Sequence, residues 1–205
     1  MKKIIIGLLF LVSYSGVSQN LRYGAVIGAN FYDLEFKGPL TANSGGSYFN
    51  FGGFVDYKLN TRFGVKANLI YTNTEENGYT YYSYNQQNPL TFSNAKLKTL
   101  QLHPLFKFDV RKDYNKGFYF VGGFRTTYVL DAKSDKNEDL DYFYKKVNFG
   151  GLLGFGTTFL KNFSVELVGD FDISNTVTME NNKSQNFGGY FNLLYNLEPL
   201  FNKNK

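Results

Sequence analysis

The chain has 205 residues, with 22 Lys plus Arg against 17 Asp plus Glu, a formal net charge of +5, no cysteine and no tryptophan. A mean hydropathy of −0.31 and a single long apolar run exclude a bundle of transmembrane helices, each of which needs about 20 apolar residues. The missing cysteines exclude a disulfide framework, a thiolate zinc site and a lipoprotein anchor, while 22 Phe, 17 Tyr and 21 Gly beside 4 Pro favour strands.

The first element is an address. Met1, Lys2 and Lys3 precede an apolar stretch from Ile4 to Val12, and small or polar residues follow up to Gln19. This pattern predicts a secretory signal peptide over 1–18, cut after Ser18 with Gly16 and Ser18 at the recognition positions. Cleavage would leave 20 basic against 17 acidic residues, a net +3 that gives no reason to expect a nucleic-acid partner. One domain, 19–205, remains, without a visible linker.

Along that domain, period-two alternation between turn signals predicts strands over 21–33, 48–59, 62–72, 99–109, 118–130, 147–160, 163–174 and 187–197. The connections alternate: 60–61, 110–117 and 161–162 are short, whereas 34–47, 73–98, 131–146 and 175–186 are long. In the first strand Tyr23, Ala25, Ile27, Ala29 and Phe31 oppose Arg22, Gly24, Val26, Gly28 and Asn30. In the second, Phe49, Phe51, Val55 and Tyr57 oppose Asn50, Gly52, Asp56 and Lys58. In the seventh, Val165, Leu167, Phe171 and Ile173 oppose Ser164, Glu166, Asp170 and Asp172, a three-carboxylate face that no soluble sandwich would bury in an apolar core. The polar face therefore points inward. The expected fold class is all-β: an eight-stranded antiparallel up-and-down transmembrane β-barrel in the outer membrane, with short periplasmic turns and long extracellular loops. Outward rings would form two girdles, one with Tyr23, Tyr57, Phe63, Phe108, Phe118, Phe159, Phe163 and Tyr195, the other with Phe31, Phe49, Tyr71, Tyr128, Phe149, Phe171 and Phe187.

The inward charges are the candidate site. Arg22, Lys58, Arg62, Lys66, Lys107 and Arg125 face Asp56, Asp109, Glu166, Asp170 and Asp172. Near balance implies mutual pairing, and depth from the short-turn rim matches Arg125 with Asp170 and Lys66 with Glu166. A barrel of eight strands is just wide enough for its own side chains, so these groups should fill the bore and exclude a wide pore.

No catalytic, cofactor or metal site emerges. The single histidine, His103, is inward and mid-strand without a nucleophile or carboxylate partner at a rim, and Pro104 beside it marks an expected bulge. Asp131, Asp135, Glu138, Asp139 and Asp141 lack calcium-loop spacing and are expected to form a solvated acidic loop. Gly151, Gly154 and Gly156 precede no helix, so they read as close barrel packing.

Arg22-Tyr23-Gly24 with Gly28 to Phe31, Phe51 to Leu59, Leu100 to Phe108, Val121 to Phe124 and Gly150 to Gly156 resemble the PorT-like outer-membrane β-barrel family of Bacteroidetes. The resemblance covers about 21–197 and implies an eight-stranded outer-membrane barrel; some members are accessory proteins of type IX secretion and gliding. Residues 198–205 follow the last strand in place of the usual terminal aromatic, leaving Tyr195 or Phe201 to be read by the barrel-assembly machinery. The expected partners are outer-membrane lipid, that machinery, and a protein bound at loops or periplasmic turns, with Tyr79, Tyr81, Tyr82 and Tyr84 and the 110–117 turn as contact surfaces. The expected role is structural or partner-binding, with a small transport or permeability barrel as the alternative, and no enzymatic activity.

Overall fold

The computed structural model of the chain describes residues 20–37, 43–77, 94–160, 162–178 and 183–201. The predicted signal segment and Tyr79, Tyr81, Tyr82 and Tyr84 lie outside them. Eight strands run β1 (Leu21–Lys37), β2 (Asn43–Lys58), β3 (Phe63–Asn77), β4 (Asn94–Asp109), β5 (Gly117–Ser134), β6 (Val147–Phe159), β7 (Phe163–Asp172) and β8 (Lys183–Asn196), followed by a short helix α1 (Glu198–Phe201). Each strand pairs antiparallel with its neighbours in sequence, and β1 pairs with β8, so the sheet closes on itself. Closure satisfies the backbone groups that an open edge would leave bare in lipid. Among the described residues no helix is long and apolar enough to cross a membrane.

The alternation in the sequence is the alternation of the wall. On β4 buried and exposed residues alternate from Ala95 to Lys107, with Gln101, His103, Leu105 and Lys107 inward and Leu100, Leu102 and Phe106 outward. Outward rings pack edge to edge around the short-turn rim: Phe63 lies 5.1 Å from Phe108, Phe163 4.8 Å from Tyr195, and Phe118 5.5 Å from Phe155. Such contacts fill the lipid-facing surface with rings suited to the membrane boundary.

Three expectations about the strands change. Six strands run further at the long-loop end, where Glu75 pairs with Lys96 and Asp33 with Gly45, while β7 stops at Asp172. The bulge is not at Pro104. Pairing with β5 lapses at His103 and Pro104 and resumes in the same register, whereas the register shifts at Lys98/Thr99. Pro104 faces outward, where its missing donor costs two rungs of the ladder and no register. Finally, β6 stops at Phe159, and Leu160 takes φ 49° in the tight turn to β7.

Candidate functional site

The interior is layered. Nearest the short turns, Lys66 on β3 and Glu166 on β7 meet in a direct ion pair. These strands lie on opposite walls of the barrel, so the pair braces the bore from side to side. Tyr119 donates to the same carboxylate at 2.9 Å. Beside it Lys107 reaches across β3 to Asp56 at 3.1 Å and lies 3.7 Å from Asp109. Its ammonium sits 4.1 Å from the Tyr119 ring centroid and 4.6 Å from that of Tyr114, a cation flanked by two aromatic faces.

Tyr114 comes from the β4–β5 turn. The turn folds back into the mouth: Asn115 at φ 65° and Gly117 at φ 92° reverse the chain, and the Asn115 amide donates to Asp109 at 3.1 Å. The Tyr114 hydroxyl then donates to Asp56, and its ring is only 7% exposed. Burial, with the Asp56 carboxylate next, raises the Tyr114 phenol far above its ordinary range, so it is a fixed neutral donor. Gly64 makes the room, since a Cβ there would stand 1.8 Å from the Tyr114 oxygen.

Higher up, Arg125 on β5 reaches over β6 to two carboxylates on β7. Nε meets Asp170 at 3.0 Å, Nη2 meets Asp172, and Nη1 donates to Asn148 at 2.9 Å. Gly150 lies under the guanidinium; a Cβ there would come within 2.6 Å of Nη2. Tyr190 on β8 donates to Asp170 at 3.1 Å and contacts Gln101 on the opposite wall at 3.0 Å. His103 packs edge-on against Tyr190 and contacts Gln101 at 3.3 Å, which joins it to the network.

Apolar side chains separate these polar groups. Val26, Phe54 and Leu194 form one inward cluster, and Leu105, Tyr119, Val121, Leu152, Val168 and Tyr190 another. The interior is therefore mixed, where the alternation suggested a polar one, because packed fillers are needed between charges in so narrow a bore. At the long-loop end a third cluster stoppers the mouth. Leu140, Phe143 and Tyr144 of the 135–146 segment and Val177 of the next loop pack on Leu34, Ala95, Leu97, Val129 and Ala132. The two loops pair through Tyr144 and Val177, and the Tyr144 hydroxyl donates to Glu76 across the mouth at 2.6 Å. The acidic side chains of that segment face water, as a solvated acidic loop would have them, while Leu140, Phe143 and Tyr144 turn inward from among them.

The inward-facing charges divide. Lys66, Lys107, Asp56, Asp109 and Glu166 meet in the lower tier, and Arg125, Asp170 and Asp172 in the upper. Arg22, Lys58 and Arg62 stay half-buried at the short-turn rim, and Lys58 and Arg62 join none of these pairs. Of the expected lumen charges, the buried side chains are three cations against five carboxylates, not a near balance, and Glu76 adds a further buried carboxylate at the long-loop end. Parity assigns a face, whereas depth decides burial.

The outer membrane protein beta-barrel domain model matches residues 17–178. The chain belongs to that family. It is a small outer-membrane eight-stranded barrel. Its fold is similar to that of Ail, the attachment invasion locus protein of Yersinia pestis, crystallised with the heparin analogue sucrose octasulfate, at 11% identity over 86% of this chain and 99% of that one, TM-score 0.50. Neisserial surface protein A is similar at 15% identity over 84% and 97%, TM-score 0.49, and OprG of Pseudomonas aeruginosa at 14% over 86% and 91%, TM-score 0.46. No curated protein matches the chain.

Proposed function

We propose that the protein is a non-enzymatic, non-conducting barrel that works through its exposed rims, as a structural or partner-binding component of the outer membrane. The observation that carries this is the Lys66–Glu166 pair, which joins opposite walls and obstructs the bore. An interior spent on bracing leaves loops and turns for specificity. The motifs shared with the PorT-like family of Bacteroidetes support an accessory role in type IX secretion or gliding, and the export pattern supports removal of residues 1–18 before assembly, which N-terminal sequencing of the membrane form would check.

Crosslinking in intact cells, followed by purification from native outer membranes, tests the role. The expected result is a protein neighbour besides the barrel-assembly machinery, lost when the 110–117 turn or the 78–93 loop is exchanged. Wild-type capture with both exchanges would overturn the rim reading. A steady conductance in planar bilayers would favour transport instead.

A further inference from the structure

The upper tier lines a partly open chamber of about 80 Å³, room for several water-sized groups. One side is polar, with Arg125, Asp170, Asp172, Gln101 and Thr99. The other is apolar, with Leu34, Leu97 and Val129 of the strands and Tyr144 of the stopper.

Two independent observations show what this volume lacks. The first is charge. Among the described residues lining it, Arg125 is the sole cation, and Asp170 and Asp172 both lean on it, all three side chains being at most 4% exposed. One guanidinium cannot neutralise two carboxylates, and burying the excess charge without a counter-ion is costly. The second is an orphan. Thr99 Oγ1, on a residue 5% exposed, lines the chamber with no hydrogen-bond partner, and so does Asn186 Oδ1. The unmet groups are a negative charge and oxygen atoms able to accept, and an apolar wall stands beside them.

We propose that the chamber is a binding site for a short-chain primary ammonium. An –NH₃⁺ head brings one positive charge and three donors for the Asp170/Asp172 side, Thr99 and Asn186, and a two- or three-carbon tail lies against Leu97 and Val129. A divalent metal does not suit the site, because the described residues hold no group of three or more His, Cys, Asp or Glu side chains placed to ligate it. Because the Lys66–Glu166 brace lies below, the chamber is blind, and the solute is held without being passed through. This inference stands apart from the rim reading, since it needs no protein partner.

Calorimetric titration of the refolded full-length barrel in detergent micelles with propylammonium chloride tests it. Sodium chloride, propan-1-ol and sodium propionate at the same concentrations serve as comparisons. Saturable binding with propylammonium alone is expected, weakened at least tenfold by Asp172→Asn. Thr99→Val leaves every ion pair in place, so it should weaken binding several-fold without shifting the unfolding midpoint, and it carries the test if Asp172→Asn fails to assemble. Equal responses to propan-1-ol would reduce the chamber to an apolar pocket, and equal responses to sodium chloride would reduce the effect to screening. Either result, the absence of saturable binding, or wild-type titration by Thr99→Val overturns the proposal.

Discussion

The two ends of the interior are closed by different chemistry. At the short-turn end a charge pair spans the bore, and the Tyr114 phenol is pulled in from the turn to satisfy Asp56. At the long-loop end the buried closure is mainly apolar, with Leu140, Phe143 and Val177 packed on the upper strands, backbone bonds such as Leu140 to Ala132 and Thr178 to Phe143, and a side-chain bond from Tyr144 to Glu76. A buried ion pair fixes one geometry, because breaking it strands a charge; apolar packing tolerates rearrangement at lower cost. The short-turn end is thus built as a rigid base and the long-loop end as a stopper that can yield.

The largest effect should come from the base. Glu166→Ala strands Lys66 and removes the acceptor of Tyr119, and it should destabilise the barrel by about 3–5 kcal/mol. The measurement is the urea midpoint of the refolded protein, followed by heat-modifiable electrophoretic mobility. The paired replacement Lys66→Met with Glu166→Leu should recover most of that loss. If single and double variants lose equally, the pair is not a brace.

Arg125→Ala sharpens the contrast. It leaves Asp170 and Asp172 without their cation, but Tyr190 still donates to Asp170 and the Asn186 amide to Asp172, so the cost should fall to about 2–3 kcal/mol. A larger loss than that of Glu166→Ala would invert the order of the two tiers. Gly64→Ala acts on the base from outside the charge network. Its Cβ would collide with the Tyr114 oxygen, so the turn should swing out at a cost of about 1–2 kcal/mol. Hydrogen exchange reads this directly, as loss of protection at the Asn115 amide.

Much of the wall was legible before any coordinates, and for a physical reason: lipid outside and side chains inside impose strict alternation, as on β1, β2 and β7. The base was legible only in part. Lys66 and Glu166 share a depth that counting along strands can find, but Tyr114 sits in a turn with four charged residues, and nothing in a polar loop says that one ring folds back. Its signal was the lone aromatic before Asn115-Lys116-Gly117, residues able to reverse the chain. The stopper carried a clearer sign. Leu140, Phe143 and Tyr144 are spaced as one face amid acidic neighbours, and three apolar residues in a loop otherwise made for water need somewhere to go. Arg22, Lys58 and Arg62 show the converse, since alternation puts them inward while their place at the rim keeps them partly in water.

The smallest effect belongs to the stopper. Tyr144→Phe keeps the ring in its apolar cluster and deletes only the hydroxyl that donates to Glu76. A single hydrogen bond of this kind contributes about 0.5–1.5 kcal/mol, more when it serves a charged group. Glu76 keeps a further contact, so the global loss should lie at the low end of that range. Local opening should respond more than global stability, because most residues of the 135–146 segment are exposed and only Leu140, Phe143 and Tyr144 are buried. Limited proteolysis should therefore cut within residues 135–142 several-fold faster in Tyr144→Phe than in the wild type, with the urea midpoint nearly unchanged. Equal cleavage rates would mean that packing alone seats the stopper. A midpoint drop matching that of Glu166→Ala would mean that both ends are rigid, and the contrast between base and stopper would fail.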